Sequence, residues 1–193
     1  MTPRKVLVVD EFDSDLVLEK NLTQHGYQVA TLKLQELNLL EVVKSLQPDA
    51  VVLNLYAPNE KVLEMILTIN REHSVPVIVF AEDQQTETIN KVIKAGVSAY
   101  IVDGLEPPRR VKAIIEVAIA RFHEQKALKD ELQKTRNQLE ERKLVDRAKA
   151  ILIKSQNYNE DQAYHALRKL AMDRKVSLGE MAKNVIAMAE LFK

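Results

Sequence analysis

AVVLNL, residues Ala50–Leu55, is a short run in which apolar side chains occupy both odd and even positions. A strand of this kind is buried on both faces, which is typical of a parallel sheet covered by helices on each side. Four further short runs rich in β-branched residues lie before residue 106: Val6–Val9, Val29–Leu32, Val75–Phe80 and Ala99–Val102. The pattern therefore predicts five parallel strands.

Amphipathic segments of helical length separate these runs, at Ser14–His25, Leu37–Leu46, Glu60–Glu72 and Thr86–Ala95. Gly26 and Gly96 stand where two of these helices should end, because glycine tolerates the backbone of a helix C-terminus. Strands alternating with helices predict an α/β fold with a doubly wound five-stranded parallel sheet, flavodoxin-like in size. Ligands of such sheets bind beyond the carboxyl ends of the strands, so we expect the chemistry there.

The chain changes character after Pro107 and Pro108, since no further glycine or proline occurs before Gly179. Proline tolerates the first turn of a helix. A single long helix is predicted from Arg109 to about Lys154. Its length is typical of a coiled coil or a helical connector.

Apolar residues repeat along the middle of this helix at the spacing of a coiled coil. The a and d positions are Leu128, Leu132, Thr135 and Leu139. The flanking g and e positions form pairs of opposite charge, Glu124 with Lys129 and Glu131 with Arg136. This pattern is typical of a parallel two-stranded coil and predicts a homodimer. Gln125 and Arg142 also fall on the seam, so a solvated connector helix is the alternative.

The C-terminal end is predicted to form a small three-helix domain, because its amphipathic segments bury a core only by packing together. Its stripes are Leu144, Ala148, Ile151 and Leu152; Ala163, Leu167, Leu170 and Ala171; and Met181, Val185, Ile186 and Met188. Asn159 caps the helix Glu160–Arg174, and Ser177 with Glu180 is a capping box for the last helix. The predicted domains are 1–120 for the α/β domain, 109–141 for the coiled-coil connector helix and 142–193 for the C-terminal domain.

Composition excludes several classes of site. The chain has 193 residues, no cysteine and only four glycines, which excludes a disulfide framework, a thiolate metal site and a glycine-rich phosphate loop. The four histidines have no metal-ligand spacing, so we expect no metal, no cofactor and no enzymatic activity. No apolar run approaches the roughly 20 residues of a membrane span, and the first residues do not have the layout of a signal peptide. We expect a cytoplasmic protein.

Charge is unevenly distributed along a chain whose formal net charge is zero. Residues 1–141 include 17 basic and 22 acidic residues, a net charge of −5, whereas residues 142–193 include 11 and 6, a net charge of +5. The imbalance indicates that the C-terminal end meets a polyanion. Segments this small also acquire such an imbalance by chance.

Four stretches each contain a predicted strand and the loop that follows it. They are PRKVLVVDEFDSD from residue 3 for the first strand, PDAVVLNLYAP from residue 48 for the third, VPVIVFAED from residue 75 for the fourth and KAGVSAYIVDG from residue 94 for the fifth. Together they resemble the receiver domain of response regulators over about residues 3–120. The resemblance implies acidic residues that hold Mg²⁺ after the first strand and a phosphoryl-accepting aspartate at the end of the third. It also implies a Thr or Ser ending the fourth strand and a Lys ending the fifth.

Asp10 and Glu11 match the acidic pair of that site, but three positions depart from it. Asn54 stands at the acceptor position, Ala81 at the Thr or Ser position and Asp103 at the Lys position. Phosphoryl transfer needs a carboxylate nucleophile, which an amide is not. Asp103 also adds negative charge where a phosphate needs a cation. We therefore expect a pseudo-receiver domain that switches by protein contact.

The remaining acids allow two interpretations. Asp10, Glu11 and Asp103 offer oxygen ligands that a hard cation would accept, although the neutral Asn54 removes one charge. Alternatively, Asp10 caps the following helix or accepts hydrogen bonds from loop amides.

Three stretches of the C-terminal end, RAKAILI from Arg147, AYHALRKLAMD from Ala163 and MAKNVI from Met181, resemble the ANTAR domain of AmiR and NasT type antiterminators. GVSAYIVDG and the later AIARF also resemble NasT proteins, which join a receiver-like domain, a connector helix and ANTAR. Ala150 departs from the glycine that is usual there, and alanine favours the helix more.

Basic and aromatic side chains of this domain are candidates for RNA binding: Arg147, Lys149, Lys154, Tyr164, Arg168, Lys169, Arg174 and Lys175. Lys and Arg neutralise phosphates, and a tyrosine stacks on unpaired bases. The alternatives are a solvated charged face and, for Tyr164, a place in the core. The resemblance selects RNA over DNA.

The resemblance implies an RNA-binding regulator of transcription antitermination. As a dimer it would bind stem-loops of a leader RNA, and a ligand-sensing inhibitory protein partner (NasS-like) would hold it inactive. For NasT-like proteins this implies nitrate or nitrite assimilation genes. Two alternatives stay open: a protein-interaction adaptor, and a DNA-binding regulator with a tail helix in a major groove.

Overall fold

The structure, a computed structural model, describes residues 3–12, 16–34, 39–102 and 110–191. The chain divides into two compact units, Met1–Lys126 and Ala127–Lys193. In chain order the elements are β1 (Lys5–Asp10), α1 (Leu16–Gln24), β2 (Gln28–Lys33), α2 (Leu39–Leu46), β3 (Ala50–Leu55), α3 (Glu60–Glu72), β4 (Val77–Ala81), α4 (Thr86–Lys94), β5 (Ala99–Val102), α5 (Val111–Gln156), α6 (Glu160–Arg174) and α7 (Leu178–Leu191).

The first unit is built on a five-stranded parallel sheet with the strand order β2-β1-β3-β4-β5. The predicted doubly wound α/β fold is confirmed. Strand order reverses between β1 and β3, and their carboxyl ends meet at this point, where Asp10 lies opposite Asn54.

Both faces of the sheet are buried, as the strand pattern predicted. Leu53 and Val79 point to the face covered by α2, α3 and α4. Their neighbours Val52 and Ile78 point to the other face, which α1 and the first turns of α5 cover. The alternation along each strand therefore requires helices on both sides.

Several element boundaries differ by one or two residues from the prediction. The fourth strand was predicted from Val75 but begins at Val77, because Pro76 has no N–H for the strand ladder. The predicted helix starts Ser14, Leu37 and Arg109 lie outside the described residues. The long helix extends two residues beyond the predicted Lys154.

The second unit contains the end of α5, α6 and α7 around a small apolar core. Its buried residues are Val145, Ala148, Leu167, Ala171, Met181, Ala182 and Ile186. Asn159 caps α6 as predicted, in a reciprocal capping box with Gln162. The N-terminus of α7 has two side-chain acceptors: Ser177 Oγ accepts the N–H of Glu180, and Glu141 Oε1 of α5 accepts that of Gly179.

Two residues predicted for this core are exposed instead, which corrects the sequence analysis. Leu170 is 38% exposed and Met188 is 53% exposed. On α6 the buried stripe is Ala163, Leu167 and Ala171, which repeats every four residues. Leu170 lies beside that stripe rather than on it, because successive helical residues are separated by 100°.

A polar cluster fastens α5 to the amino-terminal edge of the sheet. The buried Tyr27, just before β2, donates its hydroxyl to Glu116 Oε1 of α5 at 2.5 Å. Arg4, just before β1, forms an ion pair with the other oxygen of Glu116. The hydrogen bond from Tyr27 lowers the pKa of Glu116, and burial raises the pKa of the Tyr27 phenol. The cluster joins three segments far apart in sequence.

We expect the substitution Tyr27→Phe to lower the free energy of unfolding by about 1 kcal/mol at neutral pH, because phenylalanine fills the same space but cannot donate to Glu116. Urea unfolding of the full chain measures the change. In a Glu116→Gln background, which lacks the charged acceptor, the same substitution should cost less. An equal cost in both backgrounds would contradict a direct Tyr27–Glu116 interaction.

The same cluster has a defined pH dependence. The pKa of Glu116 is lower in the folded than in the unfolded chain. Its ionised form therefore stabilises the fold fully at any pH above the pKa that Glu116 has in the unfolded chain. This contribution is lost as the pH falls through the folded pKa. The stability difference between the natural chain and Glu116→Gln should therefore shrink below about pH 4, near the ordinary range of a glutamate.

Candidate functional site

The carboxyl end of the sheet brings together Asp10 and Asn54, the only two buried polar or charged residues in the described part of the chain. The β1–β3 register places them side by side, and Asn54 Nδ2 donates to Asp10 Oδ1 at 3.0 Å. The side-chain amide lies where a second carboxylate would otherwise face the first. Two carboxylates at these positions would repel each other unless a cation lay between them. The amide of Asn54 avoids this repulsion because it is neutral and donates a hydrogen bond to Asp10.

Asp10 also organises the loop that follows β1. Its Oδ1 accepts the backbone N–H of Phe12 at 2.9 Å, so the same oxygen receives a side-chain amide and a loop amide. A buried carboxylate needs such donors, since an unpaired one would carry a large desolvation cost. The interpretation of Asp10 as an acceptor for loop amides is confirmed.

Glu11 connects the same loop to the segment after β3. Its backbone N–H donates to the carbonyl of Asn54 at 2.9 Å, and its Oε2 accepts the backbone N–H of Tyr56 at 2.8 Å. The carboxylate is therefore engaged with the protein backbone. No group of three or more His, Cys, Asp or Glu side chains within the described ranges is arranged to hold a metal ion.

The other two positions of the predicted phospho-site are Ala81, which the structure describes, and Asp103, which it does not. Ala81 ends β4, is buried, and lies opposite Leu55 in the sheet register. Its methyl group provides no hydrogen-bond donor. Asp103 lies outside the described residues.

Two tyrosines that the sequence analysis did not single out connect the loops at this edge. The Tyr56 carbonyl accepts the N–H groups of Glu82 and Asp83, while its ring is exposed. The Tyr100 hydroxyl donates to the carbonyl of Asp83 at 2.8 Å. The backbone N–H of Gln85 is the main cause that lowers the pKa of the Asp83 carboxyl. The sequence signal for Tyr56 was an aromatic residue directly after β3, and for Tyr100 it was an aromatic residue within β5.

Two basic residues predicted to bind RNA are engaged within the second unit. Lys149 Nζ lies 2.8 Å from Glu160 Oε1 and 2.9 Å from Asp146 Oδ1. Hydrogen bonds with Glu160 and then Asp146 raise the pKa of the Lys149 ammonium. Arg147 forms a 2.8 Å ion pair with Glu190 of α7. Both side chains therefore already have acidic partners.

Other predicted residues lie on one exposed face of α6. Tyr164 and Arg168 lie four residues apart on one side of α6. Lys175 follows the last residue of the helix as its C-cap, in the left-handed conformation. All three are exposed, and no ion pair is found for Arg168 or Lys175 among the described residues. Tyr164 is 37% exposed, so its interpretation as a core residue was wrong.

The remaining predicted residues do not all share this face. Lys169 lies about 100° round α6 from Arg168, and Arg174 lies seven residues after the buried Leu167, nearly in line with the buried stripe. Lys154 is exposed near the end of α5. The ring of Tyr164 makes an edge contact with His165, whose centroid is 6.0 Å away. Tyr164 and Arg168 on one side of α6, together with Lys175 at its C-cap, form the group that we call the α6 face.

No helix within the ranges 3–12, 16–34, 39–102 and 110–191 is both long and apolar enough to cross a membrane.

Comparison with known proteins agrees with this division of the chain. The profile of the response regulator receiver domain matches residues 6–115, and the profile of the ANTAR domain matches residues 133–186. The transcriptional regulatory protein PdtaR of Mycobacterium tuberculosis is 28% identical over 185 residues, covering 95% of this chain and 90% of the relative.

Two further similarities each cover a smaller part of this chain. The nitrate regulatory protein of Klebsiella oxytoca is 34% identical over 82 residues, covering 42% of this chain and 21% of that relative. A solved response regulator from Thermotoga maritima superposes with a TM-score of 0.52 at 23% identity, covering 61% of this chain and 98% of the other. Since the receiver profile matches more than half of the sequence, the chain belongs to the response regulators and joins a receiver domain to a C-terminal ANTAR domain.

Proposed function

We propose that this protein binds structured leader RNA through its ANTAR domain and regulates transcription by antitermination. The observation that carries the proposal is the α6 face, where Tyr164, Arg168 and Lys175 are exposed together within the residues that the ANTAR profile matches. Arginine and lysine attract phosphates, and a tyrosine ring stacks on bases that are not paired. This combination suits the loop of an RNA hairpin better than a DNA duplex.

The other basic residues have different roles in this proposal. Lys154 and Lys169, which are both exposed, add phosphate contacts outside the α6 face. Lys149 and Arg147 reach RNA only if they leave Glu160 and Glu190, so we assign them mainly to holding α6 and α7 against α5. Surface ion pairs are individually weak, and RNA phosphates compete with them.

The receiver domain works in this proposal without phosphorylation. Asn54 is not a nucleophile, its amide already satisfies Asp10, and Ala81 has no hydroxyl for a phosphate. A signal therefore reaches the protein through contact with another protein, for which we propose a ligand-sensing inhibitory partner. The similarity to a protein named nitrate regulatory protein supports nitrate or nitrite assimilation as the regulated process.

We also propose that two chains pair through the middle of α5. Leu128, Leu132 and Leu139 are 61%, 52% and 53% exposed in the single chain, at the spacing of a coiled-coil seam. The g and e positions beside them have opposite charges, which favours a second copy in parallel. A dimer would present two ANTAR domains to two stem-loops of one RNA.

The RNA proposal is tested with RNA that co-purifies with the full chain, sequenced and then transcribed in vitro. We expect Arg168→Ala to weaken binding by about tenfold and to reduce the salt slope by about 0.7, the loss of one phosphate contact on a single strand. Tyr164→Ala should weaken binding about tenfold with little change in salt slope, because stacking is not ionic.

Arg71→Ala is the matched control, since it removes the same charge from an exposed position of α3 in the receiver domain. Equal losses for Arg168→Ala and Arg71→Ala would refute the α6 face. The absence of any RNA affinity would refute the function, and a preference for duplex DNA over hairpin RNA would indicate a DNA-binding regulator.

The phosphate-independent receiver is tested by Asn54→Asp. This change places a second carboxylate 3.0 Å from the first, and we expect the loss of a buried donor to lower the unfolding free energy by about 2 kcal/mol in EDTA. Millimolar Mg²⁺ should restore much of that stability, while the natural chain should show no response. Asn59→Asp, which keeps an acceptable cap for α3, is the control. Incorporation of label from acetyl phosphate by the natural chain would contradict the proposal.

The dimer is tested by Leu132→Lys in sedimentation equilibrium. A charge on the seam should shift the full chain toward the monomer by at least about tenfold in dissociation constant. Leu67→Lys, at a leucine of α3 that is 51% exposed, should leave the equilibrium unchanged. A monomeric natural chain would show that α5 is a solvated connector.

A further inference from the structure

Met172 is the most exposed methionine in the part of the chain that the structure describes. It lies on α6 within the ANTAR domain, is 69% exposed, and is not part of the small apolar core that α6 shares with α5 and α7. Met181 of α7, by comparison, is buried in that core at 2% exposure. The thioether of Met172 is therefore left in contact with water.

Met172 continues the line of side chains that begins with Tyr164 and Arg168. The three residues are four apart on α6, so each lies only about 40° round the helix from the one before it. Lys175, the C-cap, follows Met172 by three residues. We call these four residues the strip. Along the helix the strip is aromatic, basic, apolar and, at its end, basic.

The charges of the strip favour an anion toward its C-terminal end. Neither Arg168 nor Lys175 has an ion pair among the residues that the structure describes. Asp161, in the first turn of α6, lies seven residues before Arg168 and on the same side of the helix. Its carboxylate repels phosphate, so a bound strand would run from Tyr164 toward Lys175 rather than over the start of α6.

The distance between the two uncharged side chains decides which conformation of a strand fits. Tyr164 and Met172 are eight residues apart, about 12 Å along the helix axis, whereas stacked bases are separated by only about 3.4 Å. Two bases resting on these side chains therefore cannot be stacked on each other, and a base inside a continuous stack has both faces covered. Unpaired loop nucleotides, whose bases turn away from one another, meet both requirements. Arg168 lies midway, where a phosphate between two such bases would be.

We propose that Met172 is a second base-contacting residue of the RNA site, and that the strip holds an extended, unstacked segment of an RNA loop. One base would rest on the ring of Tyr164 and another on the thioether of Met172, with a phosphate at Arg168. A flexible, polarisable methionine adapts to the face of any base, so this contact favours unstacked loops over stems without selecting one base. The inference rests on the proposed RNA binding by the ANTAR domain.

The experiment uses the full chain and a fluorescein-labelled hairpin transcribed from the RNA that co-purifies with it, with fluorescence anisotropy as the readout. Met172→Ala should weaken binding about fivefold without changing the salt slope, because the lost contact is not ionic. Met172→Leu should retain most of the affinity. Met188→Ala of α7, which removes the same side chain from a position that is 53% exposed, is the matched control and should bind like the natural chain.

Abasic nucleotides locate the two bases. Each loop nucleotide in turn is replaced by one that keeps its ribose and phosphate but lacks the base, and every RNA is titrated with the natural chain, Met172→Ala and Tyr164→Ala. At one loop position, removing the base should weaken binding by the natural chain but cost Met172→Ala nothing further. Tyr164→Ala should show the same behaviour at a different position. Additive losses at every position, or coupling of both variants to the same nucleotide, would overturn the inference.

Two further outcomes separate a failure of this inference from a failure of the proposed function. If Arg168→Ala weakens binding while Met172→Ala binds like the natural chain, only the inference fails. If no hairpin RNA binds, the proposed function itself fails, and the inference fails with it. Urea unfolding of Met172→Ala should match that of the natural chain, because an exposed side chain is removed. A lower midpoint for this variant than for Met188→Ala would assign Met172 to the fold instead.

Discussion

The central sheet is apolar on both faces, and this constraint requires the first turns of α5 to present apolar side chains to one of them. The face formed by residues such as Val52, Ile78 and Phe80 must be covered, and α1 covers only part of it. Val111, Ile115, Ala118 and Ile119 of α5 complete the cover. The helix that leads into the ANTAR domain is therefore also a structural part of the receiver core. Its character changes along its length: apolar at the start, exposed from Glu124 to Lys143, and apolar again at its end.

At the carboxyl end of the sheet, the buried side chains of Asp10 and Asn54 are joined to each other by a hydrogen bond. A receiver site with two adjacent carboxylates is unsatisfied by itself and depends on a cation. Here one of the two groups is a neutral amide that donates to Asp10, and the loop N–H of Phe12 donates to the same oxygen of Asp10. The loops at this edge hold one another through backbone hydrogen bonds around Glu11 and Tyr56.

The fold was predictable because strand burial depends on local pattern. AVVLNL predicts β3 with its observed ends, and Glu60–Glu72 predicts α3 likewise. Contacts between elements were not predictable in this way. Tyr27 and Glu116 meet across 89 positions of sequence, and nothing near either residue indicates the other. Lys149 looked like a phosphate-binding residue because its partner Glu160 belongs to the next helix. The exposure of Tyr164, by contrast, follows from the four-residue repeat of Ala163, Leu167 and Ala171, which leaves the tyrosine beside the buried stripe.

The covering of the sheet by α5 also limits how a signal can travel. Lifting its first turns would expose Val111, Ile115 and Ile119 to water, at a cost of about 5 kcal/mol in apolar burial alone. The Tyr27, Glu116 and Arg4 cluster would be broken as well. Any displacement of the start of α5 from the sheet would therefore have to break this apolar packing and the polar cluster together.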